Sequence, residues 1–233
     1  MPSSHSNQIN EIIKIALAVQ PQSVLDIGVG FGKYGFLMRE YLDLAIANEC
    51  KEGEFTRTKR IDGIEAFPDY IGNLQRSIYD NIFLGDASKI AEELDHTYDL
   101  ILLIDVFEHF EHEQGLKLLE VLRKKSRNIL ISTPQHVQEQ GAEYGNAFET
   151  HQFEWEKKHY QHLPNKTFID NSYSLIMFSG DDVQKVADLF DRSKQWMIRI
   201  KRTFSLLSLK MWISHNLPFI RNNYRRVTGK PKL

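Results

Sequence analysis

Residues 98–104 read YDLILLI. A short run that is apolar at nearly every position has no polar face to turn to water, so it belongs in the interior of a sheet covered on both sides. A parallel sheet with helices on its two faces provides that cover. Four more short runs keep it company: Ser23 to Ile27, Ile61 to Glu65, Asn81 to Leu84, and RNILISTP at 127–134. Helical patterns lie between them. Ile9 to Val19 precedes the first run, an amphipathic stretch carrying Phe36, Leu37, Tyr41 and Leu44 follows it, and Ser88 to Leu94 follows the third. The charged segment 48–60 (NECKEGEFTRTKR) interrupts this alternation and predicts an exposed excursion. The fold class expected is α/β, Rossmann-like and doubly wound.

The first strand runs into VLDIGVGFGKYG, residues 24–35. In an open parallel sheet, ligands bind beyond the carboxyl ends of the strands, and glycines there let the backbone turn tightly and come close to the ligand. Gly28, Gly30 and Gly32 form G-x-G-x-G, whereas a dinucleotide fingerprint needs its third glycine at position 33, which is Lys33. There is no Walker A loop either. Acids end four successive strands: Asp26, Glu65, Asp86 and Asp105. Glu65 is placed to accept hydrogen bonds from both hydroxyls of a ribose, and Asp86 has the polarity to meet the amino edge of an adenine. A pocket lined this way repels phosphates and suits a cationic nucleoside.

Taken in order, VLDIGVGFG, the acid of IDGIE, GDA and YDLILLIDVFEH resemble the motifs of the class I S-adenosylmethionine-dependent methyltransferases, over about residues 20–180. The resemblance implies a mostly parallel seven-stranded sheet with helices on both faces, its last two strands an antiparallel hairpin. KTFID and YSLIMFS, joined by Asn171 and Ser172, fit that hairpin. It implies S-adenosylmethionine as cofactor and S-adenosylhomocysteine as product. Gly28, Gly30 and Gly32 then lie near the methionyl part, Glu65 on the ribose, and Asp86 and Ala87 at the adenine. The methionyl carboxylate is favoured by a helix N-terminus beginning near Phe31, and acids such as Asp26 and Asp105 compensate the ammonium and sulfonium charges. Asp26 can also bond the amides of its own turn. The gap from Asp26 to Glu65 exceeds the family's usual spacing, and segment 48–60 accounts for it. Two alternatives remain open. A nicotinamide-dependent oxidoreductase is opposed by Lys33, and a non-catalytic adenosyl-binding module is compatible with the same residues.

Methyl transfer from a sulfonium is an in-line displacement, so alignment supplies much of the rate and a base is needed only where the acceptor must lose a proton. DVFEH sets Asp105, Glu108 and His109 at i, i+3 and i+4, on one side of a helical turn. His109 is the first base candidate, with His151 and Asp105 beside it as catalytic candidates. Similar stretches in quinone-ring O-methyltransferases hold a divalent metal, which opens metal-assisted O-methylation. The competing reading has Glu108 and His109 capping the helix beneath the cofactor, and no metal is assigned on this spacing. The long polar segment from Gln135 to Phe153 predicts a lid, and GNAFETHQFEW resembles a loop of poorly characterised bacterial methyltransferases. Tyr144, Asn146, Glu149, His151 and Trp155 are candidate acceptor contacts, with Trp155 equally suited to anchoring the core. His151, His159 and His162 show no spacing that compels a metal.

Charge divides the chain. Eighteen basic residues face 31 acidic ones through Asp191, while the remainder carries eleven basic residues and no acid. Trp196, Ile200, Phe204, Leu207 and Met211 form one apolar stripe along this basic tail. Two parts are expected: a catalytic domain over 1–180 and a helical basic extension over 181–233. The extension has three possible fates: packing on its own domain, homodimerisation, or peripheral contact with an anionic membrane. The acidic catalytic part argues against nucleic acid as partner, leaving a small-molecule, glycan-like or lipid-linked methyl acceptor. The absence of a long apolar run, the polar start and the single Cys50 predict a cytoplasmic protein, bound at most at the inner face of a membrane.

Overall fold

The computed structural model describes residues 3–43 and 57–191, together with Trp196. Leu44, Cys50, most of the charged excursion and the tail stripe beyond Trp196 lie outside the described residues. The first of two compact units, residues 1–187, contains the whole sheet; the second, 188–233, is described only at its start and at the exposed Trp196.

Seven strands form one sheet: β1 (Ser23–Ile27), β2 (Arg60–Glu65), β3 (Asn81–Leu84), β4 (Leu100–Ile104), β5 (Asn128–Pro134), β6 (Lys166–Ile169) and β7 (Ser174–Gly180). Their order is β3-β2-β1-β4-β5-β7-β6. The first five are parallel, with Val24 opposite Ile61 on one side and Leu100 on the other, and β7 lies antiparallel between β5 and β6. The expected sheet and its terminal hairpin are both present. The order reverses at β1, so right-handed connections put helices on both faces and open a crevice above the ends of β1 and β4. Helices α1 (Ile9–Val19) and α2 (Lys33–Met38) pack together, as do α4 (Ala87–Glu93) and α5 (His112–Lys124). The shorter α3 (Asn73–Ile78) follows β2, and α6 (Val183–Phe190) follows β7.

All five residues of β4 are buried, which is why its sequence carries no alternation. Neighbouring side chains still point to opposite faces: Leu25, Ile27, Ile101, Leu103, Ile129 and Ile131 join α4 and α5 in one core cluster. Close approach fixes two glycines. A Cβ on Gly35 would stand 2.2 Å from the Tyr79 ring, and one on Gly28 would stand 2.3 Å from Val106 Cγ2 at a φ of +82°.

The helix after the glycine turn differs from the pattern expected. It is α-helical only to Met38 and continues as a π turn over Arg39–Asp43. Its buried face is Tyr34, Met38 and Leu42, while Phe36 and Tyr41 are exposed. The widened turn brings Arg39 inward, where its guanidinium bonds the Ile78 carbonyl (2.9 Å), the Lys59 carbonyl (2.6 Å), Asp43 (3.1 Å) and Asp80 (2.6 Å). Asp43 in turn accepts from the Thr58 and Lys59 amides, so both sides of the 44–56 segment are tied to one buried ion pair.

Candidate active site

A cleft of about 350 Å³ opens over the carboxyl ends of β1 to β4. Gly28 and Gly30 contribute from the turn after β1, Glu65 from the end of β2, Asp86 and Ala87 from the end of β3, and Asp105 and His109 from the exit of β4. Gly32 is not in the lining; a Cβ there would meet Ile78 at 3.2 Å, so this glycine serves the packing of the turn on α3. Asp26 is also outside it. The Asp26 carboxylate is buried beneath the turn and accepts from the Tyr79 hydroxyl at 2.5 Å, while that hydroxyl accepts the Gly35 amide. Burial pushes the Asp26 carboxyl up to about 7, although the Tyr79 bond favours its ionised form.

Glu65 is oriented by the chain around it. One oxygen accepts the Gly30 N–H at 2.8 Å and the other the Phe67 N–H at 2.9 Å, so the acid also clamps the glycine turn. Burial raises its pKa against those two bonds. Asp86 accepts the Ser88 amide and caps α4 while facing the cleft. Asp105 has a left-handed φ of +53°, one oxygen held by the Gln8 side chain and the His5 amide, and the other buried without a partner among the described residues. Burial raises its pKa as well.

Beyond Asp105 the chain makes a 3-10 turn over Phe107–His109, and the long segment after β5 folds back onto it. The Glu108 carbonyl accepts from the amides of Gln152 and Phe153. His151 is thereby brought beside His109, with ring centroids 5.0 Å apart, and donor atoms of Glu108, His109 and His151 all lie within 4.8 Å of one another. This corrects the spacing argument in two ways: His151 joins the group, and Asp105 does not. Both histidines turn Nδ1 to a backbone carbonyl, His109 to Thr150 (3.2 Å) and His151 to Gln138 (2.6 Å). A carbonyl only accepts, so each Nδ1 carries a proton and each Nε2 is the atom left to face a ligand, the arrangement that outer hydrogen bonds give to metal-binding histidines. Burial lowers His109 to about 4, which keeps it neutral, and raises Glu108 well above the usual carboxyl range. Glu108 Oε2 is buried and unpartnered among the described residues. One carboxyl group and two imidazoles form a donor set suited to a divalent transition ion. Glu108 does not cap α5, whose N-cap is Glu111.

The other loop candidates separate. Asn146 and Glu149 line the cleft, and Glu149 accepts from both the Asn146 amide and the Tyr70 hydroxyl at 3.2 Å. Tyr144 is exposed at the loop tip, away from the lining. Trp155 is buried in the core, donating Nε1–H to the Phe107 carbonyl at 2.8 Å and lying over Gly115. His159 and His162 are not in the group. Tyr70 and Ser4 line the cleft from segments distant in sequence, Gln8 holds Asp105 from beneath it, and no local pattern marks them.

No protein-family model matches the chain. Over 144 residues it is 26% identical to a curated protein of Tetrahymena thermophila described as a small RNA 2'-O-methyltransferase; the match takes in 55% of this chain and 33% of that protein, so the chain spans about a third of its relative's length. Among solved structures, the N-terminal domain of EvdMO1, crystallised in the presence of S-adenosylhomocysteine and D-fucose, superposes with a TM-score of 0.53 at 12% identity, covering 76% of this chain and 84% of that one. PigF with S-adenosylhomocysteine gives a TM-score of 0.50 at 17% identity, covering 76% of this chain and 55% of the other. The protein therefore has the class I methyltransferase fold, as its four motifs in order imply.

Proposed function

We propose that the protein is an S-adenosylmethionine-dependent methyltransferase that methylates a hydroxyl oxygen with the help of a divalent cation. The observation that carries this reading is the Glu108, His109 and His151 cluster, which reaches the cofactor cleft through His109. In the cofactor part, Glu65 takes the ribose, Asp86 and Ala87 face the adenine, and Gly28 and Gly30 leave room for the methionyl chain. A cation held by the three donors supplies Lewis acidity that lowers the pKa of an acceptor hydroxyl. His109, neutral through the physiological range, serves as a ligand, and the loop around Asn146 and Glu149 forms the acceptor wall.

The acceptor favoured by charge is a small molecule, or a glycan-like or lipid-linked alcohol, because residues through Asp191 are strongly acidic. A small RNA is the second reading, favoured by the name of the Tetrahymena relative and by its ribose oxygen as target. Transfer of labelled methyl to fractionated metabolites, envelope precursors and small RNA tests both. EDTA should abolish turnover and manganese should restore it, with His151→Ala inactive and S-adenosylhomocysteine still bound. Turnover indifferent to EDTA sinks the cation. Cofactor binding without turnover on any fraction supports the adenosyl-binding module instead.

A further inference from the structure

The segment that brings His151 to His109 is built as a hairpin. Tyr144 and Gly145 both have positive φ (+54° and +75°), as a type I′ turn requires, and the Asn146 amide donates to the Glu143 carbonyl at 2.8 Å across them. Residues 138–143 and 146–151 are its two arms. Three bonds fasten the arms at their open end: the His151 amide donates to the Gln140 carbonyl at 3.1 Å, His151 Nδ1–H to the Gln138 carbonyl at 2.6 Å, and Gln140 Nε2–H to the Glu149 carbonyl at 2.7 Å. Among the described residues these are the only hydrogen bonds of residues 136–140.

The arms differ in support. The returning arm is tied to the turn after β4, because the Gln152 and Phe153 amides meet the Glu108 carbonyl and His109 Nδ1 meets the Thr150 carbonyl. The outgoing arm has no hydrogen bonds but the three above, yet its Gln138 carbonyl sets the rotation of the His151 ring. A ring free to turn carries Nε2 away from Glu108 and His109. Of the three bonds, only that of Gln140 Nε2 can be removed without touching the backbone or His151 itself. Resting on the cation reading above, we propose that Gln140 is a positioning residue: by holding the outgoing arm against Glu149, it presents the third cation ligand, His151, and the acceptor wall of Asn146 and Glu149 as one piece. Two ligands stand on the β4 turn and the third on the hairpin, so loosening the hairpin weakens the cation while Glu65 and Asp86, on other strands, keep their places.

Calorimetric titration of the full chain with manganese, and in parallel with S-adenosylhomocysteine, tests this. Gln140→Leu, which keeps the bulk and loses the donor, should weaken manganese about threefold to tenfold, the effect of one hydrogen bond, and S-adenosylhomocysteine less than about twofold. Gln140→Arg sets an Nε–H where the glutamine Nε2–H stands and should recover most of the manganese affinity. Unchanged manganese affinity in Gln140→Leu, equal weakening of both ligands, or no recovery with arginine overturns the assignment. Failure of the unaltered chain to bind manganese overturns the cation reading itself and this inference with it, and is seen before any variant is compared.

Discussion

Asp26 stands in the signature glycine motif yet acts below the cleft, where Tyr79 holds it. A carboxyl raised to about 7 from an ordinary 3.8 binds its proton more tightly in the folded chain than in the unfolded one. Its contribution to stability is therefore complete below about pH 4 and is lost as pH rises through 7. Denaturant midpoints for the parent chain should fall across that window, and Asp26→Asn, which still accepts from Tyr79, should flatten the fall. Equal slopes in the two proteins count against the burial argument. The acids at the strand ends were legible because strand termini follow from hydrophobic runs. Tyr79 as the partner of Asp26, and Gln8 as the partner of Asp105, were not, because those bonds join residues 53 and 97 positions apart. His151 was a candidate in the sequence, but its place against Glu108 and His109 was hidden for the same reason: a loop path, not a spacing, brings it there.

At the level of elements, the strands were readable to within a residue or two, since apolar runs bounded by Gly, Asp and Asn leave little choice of register. The helix after β1 was not. Its apolar letters suggested a face through Phe36 and Tyr41, but the α-helical part already turns Tyr34 and Met38 inward and Phe36 out, and the π turn from Arg39 adds a residue that resets the side chains beyond it. The reason is visible in the ion pairs: Arg39 reaches the α3–β3 junction, the start of β2 and its own Asp43 together. Breaking a buried pair from one side leaves the other charge unmet and costs about 3–5 kcal/mol. Arg39→Met should lower the urea midpoint accordingly, and a shift no larger than that of an exposed control such as Lys117→Met argues that the hub is dispensable.

Across the whole molecule the charge division sets the remaining question. Among the described residues no helix is long and apolar enough to cross a membrane. We propose that residues 192–233, eleven of them basic, bring the acidic domain to an anionic surface, each charge adding about 1 kcal/mol that salt screens away. The full chain should float with anionic vesicles at low salt and not with neutral ones, and a chain ending at Asp191 should not float. Absence of salt-sensitive flotation, with a lowered melting temperature on truncation, identifies the tail as a packing element. The loop over the cleft has its own logic at this scale. Pro134 is held in the sheet by its pairing with Ser174, and Trp155 is pinned over Gly115, where a Cβ would come within 2.4 Å of the indole. Asn146, Glu149 and His151, proposed above for the acceptor side, hang between these two fixed posts. On that proposal the span is a cartridge: exchanging the residues between the posts while keeping the histidine should alter the acceptor wall and leave the strand-end side of the cleft as it is.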